Sequence, residues 1–234
     1  MNKENELQYF LSISPNKYGI YLFDTKNLKN LYKEEIILNN ETNYQNHDEL
    51  KKFLDDNIFK IEKLSGKFIE NIFLILEDKK IFNLEIGIKK KNYEKNIYKK
   101  NLEPTLTDAR DLFKENYKDY KIMHMIITNY IVEGKNYEKF IDNLYSDNIC
   151  LEIQFISISN KIIYEIDKVL DIYQIKIINY LDQNYINKVV EEKNFQLPKK
   201  AHFILNGFNE NEVQVIPKKT GKMGFFEKFF QLFS

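Results

Sequence analysis

Cysteine occurs once in the 234 residues, at Cys150, which excludes an intrachain disulfide and a cysteine-built zinc site. Seven glycines and four prolines exclude collagen and Gly/Pro-rich low complexity. The only arginine is Arg110, so bidentate arginine clamps on anions are almost excluded. Charge of one sign is missing too: 35 basic side chains meet 35 acidic ones, giving a formal net charge of zero. Nucleic acid is therefore not an expected partner, because phosphate binding needs a positive surplus on some face. No apolar run reaches the roughly 18 residues of a membrane-crossing helix. The segment 1–6 is polar and lacks the apolar stretch of a secretory signal, so a cytoplasmic start is expected. Glycine-rich phosphate loops are absent: there is neither GxGxxG nor a Walker A pattern.

What is present is apolar mass. Hydrophobic residues make up 43%, with 16 tyrosines and 18 phenylalanines, enough to bury a core. Lys, Asn, Ile, Tyr and Phe crowd the chain, a skew that matches AT-rich codons and lowers the functional information in any one Lys or Asn. Two apolar runs, Leu7–Ile13 and Tyr18–Phe23, flank Ser14-Pro15-Asn16-Lys17, a hairpin signal. Tyr32–Leu38 reads as a third strand. Leu50, Phe53, Leu54, Ile58, Ile61 and Leu64 recur at helical spacing. Asn71–Leu76 and Ile81–Ile88 are strand-like, and Lys89–Lys100 is a charged ribbon or loop. Thr105 with Asp108 three residues on predicts a helix start, with Leu106, Ala109, Leu112, Phe113 and Tyr117 inward. Strands are predicted over Ile122–Val132, Ile149–Ile158 and Ile175–Leu181. A helix with Ile162, Ile163, Ile166, Val169, Leu170 and Tyr173 inward precedes the last of these, and another follows over Asn184–Lys193. Gln196–Lys200 reads as a linker, His202–Leu205 with Glu212–Ile216 as an end hairpin or simply the end of the domain, and Pro217–Lys222 as a basic tether.

Catalytic chemistry is not legible in this pattern. His47, His124 and His202 are far apart and follow no metal-ligand spacing. His124 lies in an apolar strand and is expected to be a satisfied strand histidine. Cys150 is expected to be a buried structural thiol. Asp55-Asp56 and Glu191-Glu192 are neighbours on predicted helices, where adjacent side chains diverge by about 100°, so they are read as solvated faces. No catalytic residue, cofactor ligand or metal ligand is assigned, and the chain is expected not to be an enzyme.

The C-terminus is distinctive. With Phe225 at zero and 100° per residue, Phe226, Phe229, Phe230, Leu232 and Phe233 fall with it in an arc of roughly 160°, leaving Glu227, Lys228 and Gln231 opposite. Lys199, Lys200, Lys218, Lys219, Lys222 and Lys228 outnumber Glu210, Glu212 and Glu227 in this region. An aromatic-faced helix on a basic tether is the pattern of an interfacial membrane anchor. The candidate membrane-binding residues are Lys222, Phe225, Phe226, Lys228, Phe229, Phe230, Leu232 and Phe233. A helix docked on its own core and a protein-partner motif are the other readings.

The order of these features resembles the FtsA family, actin-fold bacterial proteins that tether FtsZ filaments to the cytoplasmic membrane. Three stretches carry the resemblance. Leu11-Ser-Ile-Ser-Pro-Asn-Lys17 leading into Tyr18–Phe23 looks like the first strand pair with its phosphate turn. Ile72 to Tyr185 looks like the SHS2-type subdomain 1C. Gly224-Phe-Phe-Glu-Lys-Phe-Phe-Gln-Leu-Phe233 looks like the membrane-targeting helix. The family's first turn is Asp-x-Gly-[Thr/Ser]-x-Lys; here Ser12, Ser14 and Pro15 replace the Asp, Gly and Thr, and only Lys17 matches. The second phosphate motif, Asp-x-Gly-Gly-Gly-Thr, is absent, and the 234 residues leave no room for the second actin lobe, on which the family docks the FtsZ tail. The resemblance with these departures implies loss of ATP binding.

The resulting expectation is an α/β (α+β) chain: a partial actin-like unit, 1A-like, over 1–72; an SHS2-like, 1C-like module over 73–195; an end hairpin and basic tether over 196–222; and an amphipathic helix over 223–234. The implied function is a non-enzymatic peripheral membrane adaptor in bacterial cell division, on the cytoplasmic face of the inner membrane at the division site, without cofactor. Its implied partners are an anionic membrane surface, divisome proteins with FtsZ left open, and further copies of itself. A pilus-assembly platform protein of PilM type and a peripheral membrane enzyme are the alternatives.

Overall fold

The computed structural model describes residues 6–38, 47–91, 96–141 and 144–213. In chain order the elements are β1 (Leu7–Ser14), β2 (Lys17–Asp24), β3 (Lys29–Ile37), α1 (His47–Ser65), β4 (Asn71–Leu76), β5 (Phe82–Lys91), β6 (Asn96–Ile97), α2 (Glu103–Asn116), β7 (Tyr120–Val132), β8 (Lys135–Tyr137), β9 (Leu144–Tyr145), β10 (Asn148–Ser159), α3 (Asn160–Asp171), β11 (Lys176–Asp182), α4 (Gln183–Val189) and α5 (Leu197–Leu205). The class is mixed α/β, as expected.

Unit 1 comprises Met1–Ile81 and Ser159–Phe208. Its sheet runs β11-β4-β1-β2-β3. β1, β2 and β3 form an antiparallel meander, while β4 lies parallel to β1 and β11 parallel to β4. Parallel neighbours need a crossover; α1 precedes β4 and α3 precedes β11. Side chains alternate along a strand, so Tyr18 and Phe23 of β2 face opposite sides of the sheet. Tyr18 meets Phe53 of α1, with ring centroids 6.0 Å apart, and Phe23 meets His202 of α5 at 5.4 Å. The sheet is thus covered on both faces; Phe10, Leu11, Ile20, Leu22, Ile72 and Leu74 of its strands are buried, as are Leu54 and Ile61 of α1. α3 opens on Ser159, whose Oγ accepts from the Lys161 N–H, and buries Ile162, Ile163, Ile166, Val169 and Leu170.

Unit 2 comprises Phe82–Ile158 and the described residues 209–213. Its sheet runs β5-β10-β7-β8. α2 lays Leu106, Ala109 and Phe113 into a core with Leu151, Ile153 and Phe155, and the Phe113 and Phe155 rings stack at 4.8 Å. The 209–213 segment joins β7: the Val213 N–H donates to the Met125 carbonyl, the Ile127 N–H to the Asn211 carbonyl, and Ile126 bridges Glu212.

These units replace the expected boundaries at 72 and 195. β4 sits at the middle of the first sheet, and α3, β11, α4 and α5 return to that unit; unit 2 is an insertion between β4 and α3. Two further expectations are corrected. The stretch 197–205 is a helix, α5, with Pro198 in its first turn and Gly207 at φ +74° just past its end, so neither a linker nor a hairpin strand occupies it. α2 starts at Glu103, with Pro104 in the first turn and Thr105 buried inside the helix, so Thr105 is not the cap. The expected helix over 223–234 and the tether over Pro217–Lys222 lie outside the described residues, as do residues 214–216 of the expected end hairpin.

Candidate functional site

The position to inspect is the β1–β2 hairpin, where the resemblance places a phosphate turn. β1 and β2 pair without a break up to Ser14 opposite Lys17, leaving Pro15 and Asn16 as a two-residue turn. Ser14 Oγ donates to the Lys17 carbonyl at 3.2 Å, closing the turn on itself. Pro15 brings no N–H. A phosphate cradle needs several backbone amides aimed at one point and glycine to let the ligand approach; here the chain is committed to ladder bonds on both sides of the turn.

Beneath the turn the space is filled by side chains. Ser12 is buried, its Oγ 3.3 Å from the Tyr21 hydroxyl and 3.5 Å from the Gly19 carbonyl. A Cβ on Gly19 would stand 2.4 Å from the Tyr21 hydroxyl and 2.6 Å from Ser12 Oγ, so glycine is what admits the phenol. Tyr21 donates to Glu35 Oε1 at 2.6 Å. Glu35 also takes Lys17 at 3.3 Å and Lys33 at 3.0 Å. Burial, and then the hydrogen bond to Glu35, push the Tyr21 phenol far above its ordinary value, so it remains a donor. Burial pushes the Glu35 carboxyl up, but hydrogen bonds from Tyr21 and Lys33 and the charge of Lys17 outweigh it and hold it below the ordinary glutamate value. Lys17, the one residue matching the family's motif, is thereby paired within the fold.

His124 is buried in β7 with Nδ1 2.7 Å from Glu212 Oε1, a satisfied strand histidine as expected. His47 pairs with Glu165 at 2.9 Å. His202 lies 2.8 Å from Gln8 Oε1, and burial holds its imidazole below the ordinary value. Among the described residues no three His, Cys, Asp or Glu side chains gather as a metal site. Cys150 is half-buried in β10 opposite Lys89, more open than expected. Asp55 accepts from the hydroxyl of Tyr173, in the turn after α3, at 2.7 Å, so it makes a tertiary contact as well as forming part of a solvated face. Glu191 and Glu192 follow α4 instead of lying on it. An open groove of about 500 Å³ lies between β3 and α1. Lys222, Phe225, Phe226, Lys228, Phe229, Phe230, Leu232 and Phe233 lie outside the described residues. Among the described residues no helix is long and apolar enough to cross a membrane.

Sequence reasoning missed the Tyr21–Glu35 contact and the Glu212 partner of His124. The first joins neighbouring strands and could have been sought from the hairpin register. The second spans 88 positions and left no local signal.

No family model matches the chain, and no curated protein matches it. Solved structures do. The cytoplasmic domain of EpsL, an inner-membrane component of the Vibrio cholerae type II secretion system, matches with 9% identity and a TM-score of 0.36, over 77% of this chain and 57% of that one. A PilM–PilN type IV pilus biogenesis complex matches with 7% identity and a TM-score of 0.42, over 79% and 52%. A Bacteroides thetaiotaomicron protein of actin-like ATPase fold and unknown function matches with 12% identity and a TM-score of 0.33, over 82% and 59%. The chain therefore spans little more than half the length of each. At these scores the likeness carries no argument about site or activity.

Proposed function

We propose that this chain is a non-enzymatic adaptor built on a partial actin-like fold, that it holds no nucleotide, and that it is attached peripherally to the cytoplasmic face of the inner membrane through its C-terminal aromatic segment. The finer reading is a reduced FtsA-like protein of bacterial cell division. The observation that carries the proposal is the closed hairpin: where the resemblance calls for an Asp and a Gly around phosphate, Ser12 is buried against Tyr21, which donates to the half-buried Glu35, Ser14 closes the turn on the Lys17 carbonyl, and Lys17 is paired to Glu35. The meander β1–β3 flanked by the parallel strands β4 and β11, with a second unit inserted after β4, supports the actin-like part of the reading. The basic, phenylalanine-rich end of the sequence supports the membrane part. Calorimetric titration of the full chain with Mg-ATP tests the nucleotide claim. No heat of binding is expected; micromolar affinity overturns it.

A further inference from the structure

The sheet of unit 1 ends on β3, whose outer edge has no neighbouring strand among the described residues. Its hydrogen-bonding phase is fixed at one end, where the Leu38 N–H donates to the Asn16 carbonyl at 2.8 Å in the β2/β3 register. In an antiparallel pair, alternate residues turn both backbone groups to the same neighbour. Tyr32, Glu34 and Ile36 therefore bond to β2, and Lys33, Glu35 and Ile37 send N–H and C=O outward. Open edges are normally blunted by charge. Here Lys33 and Glu35, of opposite sign and two residues apart, pair with each other at 3.0 Å, Glu34 lies on the other face of the strand, and the edge ends on Ile37, which is 81% exposed. Beside the edge, on the α1 side, runs the groove of about 500 Å³, with Ile36, Ile37, Leu38 and Phe53 as its apolar lining and Glu34, Asp56 and Lys60 among its polar groups.

We propose that β3 is a homotypic docking edge: a second copy of this chain adds its own β3 antiparallel to it, about a twofold axis at Glu34. In that register each Lys33 stands opposite the second copy's Glu35, twice over, and Tyr32 opposite the second copy's Ile36. The alternate side chains of the added strand point to the α1 side, where the groove gives them room. The cost is Glu34 facing its own counterpart beside Lys60 of the groove wall. Moving the axis to Glu35 puts Glu35 against Glu35 and loses both Lys–Glu pairs, so of these two registers charge favours the first. A second copy extends the Lys33–Glu35 pair within each chain into an alternating row of four charges, which a strand lacking this alternation does not, and this favours the copy over other partners.

Sedimentation equilibrium of the full chain tests this. A concentration-dependent dimer is expected. Ile37→Lys and Lys33→Glu should each weaken it at least about tenfold, by charging the exposed end and by opposing like charges. An equimolar mixture of Lys33→Glu with Glu35→Lys should restore association, because both cross-strand contacts regain opposite signs. Glu35→Lys also removes the acceptor of Tyr21, so its melting curve is recorded; if that variant does not fold, Ile37→Lys, altered at an exposed side chain, decides alone. A wild type that stays monomeric up to several hundred micromolar, or a dimer untouched by Ile37→Lys and Lys33→Glu, overturns the proposal. The failure of this edge leaves the adaptor reading standing. Conversely, a Phe229→Asp, Phe230→Asp variant is expected to dimerise as the wild type does whether or not it still binds membrane.

Discussion

Gly19 and Glu35 are the residues on which the closed hairpin depends. Gly19→Ala forces a Cβ into contact with the Tyr21 hydroxyl and Ser12 Oγ. Overpacking of this kind costs about 1–3 kcal/mol, and a matching fall in melting temperature is expected; an unchanged one would mean that Tyr21 leaves its place freely. Glu35 ties stability to pH. Its folded value lies below its ordinary one. The stabilisation it supplies is therefore present above the unfolded glutamate value of about 4.3 and is lost as pH falls through the folded value. Glu35→Gln should flatten the acid limb of the stability profile in that window and leave the slope above it unchanged. Parallel limbs for the two proteins would contradict the assignment. The sequence showed that Ser12, Ser14 and Pro15 depart from a phosphate turn. It did not show what fills the vacated role, because the Tyr21–Glu35 contact is made between strands and neither residue type is diagnostic alone.

The elements were legible where one signal dominated. The apolar stripe of α3 stands as read: Ile162, Ile166, Val169 and Leu170 are buried, and Ile166 is 2% exposed. Ile166→Ala is expected to cost about 2–5 kcal/mol, as large-to-small core changes do; thermal or urea unfolding measures it, and a cost near zero would show that the stripe does not pack. Tyr173 departs from the stripe. It is half-exposed and reaches α1 through its hydroxyl, which donates to Asp55 and to the Lys51 carbonyl. α5 was misread because Pro and Lys resemble a linker in composition. Pro198 sits where a helix tolerates it, and Lys200 is buried with its ammonium 3.2 Å from Asn187 Oδ1.

At the scale of the whole molecule, the α/β class was legible from the alternation of strand and helix patterns, but the division into units was not. A local pattern cannot reveal that β4 pairs in parallel with both β1 and β11, the second partner lying some hundred residues away across an inserted unit. The proposed membrane segment, outside the described residues, is legible in the sequence as composition and helical arc. Each fully buried Phe or Leu there adds about 1.5–3 kcal/mol, and lysines near an anionic surface add about 1 kcal/mol each. The entropy of fixing side chains at the surface opposes these gains, so one C-terminal segment should bind weakly, and a dimer through β3 would present two of them and gain from their linkage. On the proposed reading, this end of the chain attaches the protein to membrane. Co-sedimentation of the full chain with anionic lipid vesicles, wild type beside Phe229→Asp, Phe230→Asp, tests it most directly. The wild type should pellet in a salt-sensitive manner and the double variant should remain in the supernatant. A wild type that never pellets, or a variant that pellets equally well, contradicts the account.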